Sequence, residues 1–222
     1  MQFPHRMRIA YIVLTCEKYA KTRVEWQKKH MFSSIDLKDV YYLGHAMKPD
    51  DRIYSWGAKD DYESLPYKFV DFFRNTDMDY DWYMLIDDDT FVYHQRLVDL
   101  LSIYNPNHPI AIGYDMEHLR NNDLGTDLKH YFSGGAGTAL SRAAYRGIKQ
   151  WITTATDKAL EFHWCADISL GMWLTQVDRV HLVHSTEFHY EYYDEVADNI
   201  KKAITFHHLK QERHYQFYAD HE

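Results

Sequence analysis

The chain has 222 residues, 45% of them apolar, and a formal net charge of -8 at pH 7, which is length and apolar content enough for one generous domain with its own core. An acidic balance with no sustained basic stripe argues against nucleic acid as the main partner, and no apolar run approaches the roughly 18 residues of a membrane span. Two distant cysteines, Cys16 and Cys165, give neither a disulfide framework nor a metal spacing and suit a reducing compartment.

In chain order, the first element is a strand over Arg8–Thr15, whose continuous Ile-Ala-Tyr-Ile-Val-Leu run is what a buried parallel strand needs. A helix is expected over Lys21–Phe32. Its early cations, Lys18, Lys21 and Arg23, stand near the strand's C-terminal end, where they serve either a diphosphate or an ordinary solvated face. A second strand is expected over Asp39–Gly44 and a helix over Leu65–Arg74, with Pro66 acceptable in its first turn. Strand and helix alternate as in an α/β nucleotide-binding half. The chain has no Gly-x-Gly-x-x-Gly or Walker-type loop, so neither a dinucleotide fold nor a P-loop enzyme is supported.

The next strand organises the whole chain. Tyr83–Ile86 is a short, aromatic and branched run that stops at Asp87, Asp88 and Asp89. An acidic triplet is most often a solvated turn or a helix cap, but here a buried strand precedes it. Phe91-Val92 and a helical pattern over His94–Tyr104 follow. Open α/β sheets place ligands at the C-terminal ends of their strands, and three adjacent carboxylates call for a cation. Asp87 and Asp89 point to the same side of an extended chain, so one hard divalent ion could take oxygen from Asp89 directly and from Asp87 directly or through water. The pattern points to a metal-assisted site for a phosphorylated ligand.

Beyond it, a strand over Ile110–Tyr114 leads to a polar stretch, 115–130, read as a loop able to close over ligand. In Tyr131–Gly137, three glycines in four positions allow either a plain turn or close approach of a ligand to the main chain. Ser141 is placed to cap a helix through Trp151, and Trp164–Gly171 opens a helix with Asp167 in its first turn. A late strand is expected over Arg179–Val183. The tail carries His181, His184, His189, His207, His208 and His214, none in a His-Glu-x-x-His spacing, and an acidic, aromatic stretch over Tyr190–Asp198. No repeat or low-complexity linker breaks the chain.

Taken in order, six segments resemble the fringe-like and β1,3-galactosyltransferase-like enzymes of glycosyltransferase family 31. They are Thr22-Arg23 with Trp26; Asp61-Tyr62-Glu63-Ser64-Leu65-Pro66-Tyr67-Lys68; Asp81-Trp82-Tyr83 to Val92; Tyr131 to Arg142; Asp167-Ile168-Ser169-Leu170-Gly171; and Ile204-Thr205-Phe206-His207-His208. The resemblance implies an α/β fold of GT-A type, a Rossmann-like mixed sheet flanked by helices, in one domain over 1–222. Residues 1–114 would form the nucleotide-sugar half, and 115–222 the acceptor half with a metal-ligand tail. It implies inverting transfer from a nucleotide sugar, usually a UDP sugar, to a glycan acceptor, with Mn²⁺ or Mg²⁺.

By the same resemblance Asp89 ligates the metal, and Asp87 and Asp88 support the metal and the donor's ribose or sugar. A C-terminal histidine completes the coordination, with His207 the better match and His208 the alternative. Asp167 becomes the catalytic base, Gly134 and Gly135 line the cleft, and Thr15, Arg23 and Lys68 lie near the donor. The chain departs from the family at Ala166, where a Glu precedes the base, at Leu85, near where a Lys is usual, and in lacking the lumenal cysteines. Those departures suggest a compact relative working in a bacterial or viral-host cytoplasm, or in the Golgi lumen if an N-terminal anchor has been removed. Two rivals remain: a haloacid-dehalogenase-type phosphohydrolase, which also begins from a strand ending in Asp-x-Asp, and a carbohydrate-binding relative that has lost turnover.

Overall fold

Continuous apolar runs can be buried on both faces of a sheet, and the two longest in this chain are neighbours near its centre. β1 (Ile9–Leu14) is buried at every position and pairs in parallel with β4 (Trp82–Asp87), from Ile9 beside Trp82 to Leu14 beside Asp87. On the far side of β1 lie β2 (Val40–Leu43) and β3 (Ile53–Tyr54), both parallel. Beyond β4 comes β7 (Thr138–Ser141), antiparallel to both β4 and β6 (Ile110–Gly113), and then β8 (His181–His184), parallel to β6. The order is therefore β3-β2-β1-β4-β7-β6-β8 in a mixed sheet. This is a computed structural model, and it describes residues 7–44, 53–54, 59–116, 128–156, 160, 163–191 and 200–221.

Alternation along the strands sends side chains to two separate cores. Ala10, Ile12, Tyr83 and Leu85 face α2 (Leu65–Asn75), α4 (Arg142–Thr154) and α5 (Ala166–Leu174), where Tyr83 stacks on Tyr145 at 3.7 Å between ring centroids. Tyr11, Val13, Trp82 and Met84 face the opposite layer. That layer is built from α1 (Arg23–Trp26), α3 (His94–Leu101) and α6 (Glu212–Ala219), with the small sheet of β5 (Phe91–Val92), β10 (Thr205–Phe206) and β9 (Phe188–His189) beside them. Among the described residues no helix is long and apolar enough to cross a membrane.

Several expectations need correction. The helix expected over Lys21–Phe32 is α-helical only over Arg23–Trp26 and then widens into a π-helical turn, Gln27–Met31, closed by the Phe32 N–H on the Gln27 carbonyl at 2.8 Å. The wider turn holds the Gln27 amide on the acidic turn and the Met31 sulfur on the Val92 N–H. The helix expected to reach Tyr104 stops at Leu101: the N–H groups of Ile103 and Tyr104 bond three residues back, to Leu100 and Leu101, in a tightened closing turn, and Tyr104 packs edge-on to Trp82. β7 was not foreseen. It is only four residues long, and Ser141 both ends it and caps α4, its hydroxyl accepting from the Ala144 N–H at 3.1 Å. Residues 117–127 of the expected closing loop and 192–198 of the acidic, aromatic stretch lie outside the described residues.

Candidate active site

β4 delivers the three carboxylates to the C-terminal edge of the sheet, and the backbone that carries them is tied down from behind. The Gln27 side-chain amide donates to the carbonyls of Asp87 at 3.1 Å and Thr90 at 3.0 Å. The Tyr215 hydroxyl donates to the Asp88 carbonyl at 2.5 Å, and the Leu209 N–H to the Asp89 carbonyl at 2.9 Å. Buried carbonyls left unpaired would cost stability, so these donors make the turn's shape the low-energy one.

The three side chains then diverge. Both oxygens of Asp88 are occupied, one by Arg23 Nη1 and the other by the Thr15 hydroxyl, each at 2.8 Å. The same Arg23 nitrogen lies 3.2 Å from Asp89 Oδ2. Asp88 thus anchors Arg23, while Asp87 and Asp89 face the cleft.

β10 brings the histidines to them. Thr205 pairs with Val92 and Phe206 with Phe91, so the next residue, His207, emerges beside the acidic turn. Its Nε2 lies 3.2 Å from Asp89 Oδ1 and 3.8 Å from Asp87 Oδ2, and its Nδ1 meets the Tyr190 carbonyl at 3.0 Å. A hydrogen bond on Nδ1 of this kind orients a ring whose other nitrogen is to bind a metal. His208 takes the left-handed backbone region, with φ of 65°, and stacks on His207 at 3.7 Å between ring centroids. Asp89, His207 and His208 each offer a ligand atom, all within 4.8 Å of one another. Gly135 makes the arrangement possible, since a Cβ there would lie 2.1 Å from the His207 ring. Gly137, at φ of 90°, turns the chain into β7.

Burial and mutual repulsion separate the titrations. Withdrawal from water and the neighbouring Asp89 charge push the Asp87 carboxyl up to about 7. Burial acts on Asp89 the same way, but the His207 hydrogen bond and charge outweigh it and leave the carboxyl below its usual range. His207 is raised, because its bond to Asp89 overcomes the desolvation of its charged form. His208 is lowered by burial and by His207 and so keeps a lone pair to offer.

Asp167, in the first turn of α5, faces the same cavity as Asp87, His207 and His208, a space of about 210 Å³ also lined by Gly134 and Gly135. Its carboxyl is raised chiefly by burial, while the N–H groups of Gly134 at 3.4 Å and Ile168 at 2.8 Å act in the opposite direction. A larger adjoining space of about 460 Å³ is walled by Thr15, Lys18, Arg23, Lys68 and the three acids. Lys68 is buried there, its ammonium donating to the Thr15 carbonyl and to Asp60, each at 2.8 Å.

All eleven site residues named from the sequence therefore converge on two adjoining cavities. Gln27, Asp60 and Tyr215 went unforeseen. Tyr215 is 127 positions from Asp88, so no local pattern could have joined them, and Gln27 reads as an ordinary buried-face residue of a helix.

Comparison with known proteins agrees with this architecture. A family profile described as Fringe, Fringe-like, matches residues 5–217. Radical fringe of Gallus gallus, a β-1,3-N-acetylglucosaminyltransferase, is 25% identical over 200 residues, covering 80% of this chain and 53% of the relative. A β-1,3-glucosyltransferase of Mus musculus is 28% identical over 137 residues, covering 60% of this chain and 27% of the relative. The chain thus spans about half the length of one relative and about a quarter of the other. Among solved structures, the galactosyltransferase LgtC with donor and acceptor sugar analogs superposes with a TM-score of 0.53 at 10% identity, over 95% of each chain. The glycosyltransferase GlyE of Streptococcus pneumoniae gives a TM-score of 0.52 at 12% identity, over 96% of this chain and 60% of that one. The fold is of GT-A type.

Proposed function

The chain belongs to the Fringe-like family, and from that premise we propose that it is an inverting, metal-dependent glycosyltransferase. It moves a hexose or related sugar from a nucleotide sugar, UDP-linked, to a hydroxyl of a glycan acceptor. The observation that carries this reading is the convergence of Asp89, His207 and His208 on one point, beside the cavity that Asp167 lines.

A donor set of one carboxylate and two imidazoles fits a divalent transition ion with open positions, Mn²⁺ among them. When bound, the ion neutralises negative charge growing on the leaving nucleoside diphosphate. Asp87 adds an oxygen on the cleft side. Arg23, fixed by Asp88, and Lys68, fixed by Thr15 and Asp60, hold cationic groups on the wall of the larger cavity, where a diphosphate and its nucleoside would lie.

Asp167 takes the proton from the attacking hydroxyl as the glycosidic bond breaks, and burial raises its affinity for that proton. Hydrogen bonds from Gly134 and Ile168 aim the carboxylate. One base and one displacement give inversion.

The test is the thermal stability of the purified protein against a panel of nucleotide sugars, each with and without Mn²⁺. A melting shift confined to one donor plus metal, and absent in Asp89→Ala, supports the donor site and names the sugar, because a ligand that binds only the native state stabilises it. The absence of a shift with every donor in the presence of metal would defeat the reading.

A further inference from the structure

We propose that Tyr62 and Trp164 form a stacking platform for the acceptor, which therefore carries, beyond the ring being attacked, a second pyranose with an open C–H face. The inference rests on the transferase reading above and adds to it a class of acceptor.

Six large apolar side chains stand exposed among the described residues, and two of them, Tyr62 at 63% and Trp164 at 54%, meet each other. Their ring centroids are 6.1 Å apart and their planes are tilted by 48°, with the His163 ring 5.2 Å from that of Trp164, so together they make a partly exposed aromatic notch. Two exposed aromatic side chains in contact offer an apolar surface on which the face of a ligand can rest.

Both rings sit at the starts of helices. Tyr62 begins the 3₁₀ turn Tyr62–Ser64 that runs straight into α2, and its hydroxyl sits beside the Cys165 thiol. Trp164 directly precedes Cys165, the N-cap of α5. The platform is thus fixed to the starts of two helices whose side chains share one core.

Its position identifies the occupant. Tyr62 lines both the 210 Å³ cavity with Asp167 and the 460 Å³ cavity with Arg23 and Lys68, so it stands where the transferred sugar would meet the acceptor. Trp164 lines neither cavity but is three residues from Asp167, a Cα separation of at most about 11 Å, and reaches the cleft through its contact with Tyr62. The smaller cavity is compact, about 210 Å³, and an acceptor longer than one ring would extend from it past Tyr62 toward the platform. The C–H face of a pyranose carries slight positive charge and meets the negative face of an aromatic ring favourably.

The experiment is calorimetric titration of the full chain with Mn²⁺ and UDP present. The probes are methyl β-glucoside and methyl β-galactoside and the disaccharides cellobiose, lactose and chitobiose, with the nucleotide-sugar melting shift measured in parallel. The expected result is that at least one disaccharide binds the parent about tenfold more tightly than the monosaccharides, that Trp164→Ala removes this preference, and that Trp164→Tyr largely restores it. Equal binding of mono- and disaccharides, or an unchanged preference in a folded Trp164→Ala, overturns the platform while an intact donor shift leaves the transferase reading standing. Weakened UDP binding in Trp164→Ala would assign the ring to the donor and also overturn it. Loss of the donor shift in the parent would instead defeat the transferase reading and the platform with it.

Discussion

Around the acidic turn, each main-chain carbonyl from Asp87 to Thr90 receives a hydrogen bond from Gln27, Tyr215 or Leu209, and both oxygens of Asp88 are engaged. Around Asp167, by contrast, the carboxylate is met by two main-chain N–H groups, one of them at 3.4 Å, and the neighbouring aromatics Tyr62 and Trp164 face water. The difference follows from what each side must do. A metal and a diphosphate have fixed size and charge, and dipoles already aimed at them need no reorganisation during the reaction. An acceptor differs from one transferase to the next, so that side needs only one well-placed base and a surface to rest on.

The largest expected effect lies on the sparsely held side. Asp167→Asn keeps the shape and one of the two hydrogen bonds, since Gly134 and Ile168 donate to different carboxylate oxygens, but cannot take a proton, so transfer should fall about 10²- to 10⁴-fold while the donor-induced melting shift survives. Donor binding with sugar release unchanged by the substitution would show that Asp167 is not the base and would favour a carbohydrate-binding relative. On the densely held side, Gly135→Ala places a methyl group inside the His207 ring and must push the imidazole off the cluster. Mn²⁺ affinity, measured calorimetrically, should drop about 10- to 100-fold. Parent-like affinity would remove His207 from the ligand set.

A smaller effect comes from the scaffold behind the turn. Tyr215→Phe preserves the packing against Trp26 but leaves the Asp88 carbonyl without its donor. Denaturant unfolding should show a loss of about 1–3 kcal/mol. If the turn is preorganised as argued, Mn²⁺ binding should weaken as well; a stability loss with metal affinity intact would reduce Tyr215 to a packing residue.

The same contrast explains what could be read in advance. The strand–acid segment around Asp87–Asp89, the glycine turn and Asp167 in a helix's first turn are local signals, and each stands where its pattern implied. His207 could be matched but not placed, because its position depends on β10 pairing with β5, two-residue strands more than a hundred positions apart. The supports were invisible for the same reason. Tyr215 looks like one aromatic among 19 tyrosines, and Gln27 does its work only because a helix widens into a π-turn that no residue pattern announces.

The smallest expected effect is a pH dependence that sets the two sides apart without any change in the fold. Asp87 holds its proton in the folded chain up to about 7, against an ordinary 3.8, so between those values the native state binds a proton that the unfolded state has released. Stability of the metal-free protein therefore declines as pH rises through that window. His207, raised by Asp89, acts in the same direction, since its contribution is complete below its ordinary value of 6.5 and fades as pH passes the folded one. Asp89, lowered, loses its contribution only as pH falls through its folded value, below 3.8, outside this window. A divalent ion requires Asp87 ionised and His207 neutral, so Mn²⁺ affinity should climb over the same range in which the metal-free protein weakens. Asp87→Asn removes one charge from the half-buried acidic turn, and melting curves at pH 8 without metal should show the variant above the parent, with a flatter pH profile. If the variant melts below the parent there, the acidic turn is not under electrostatic strain when empty, and the densely hydrogen-bonded side of the cleft is stable in its own right rather than built to be completed by a cation.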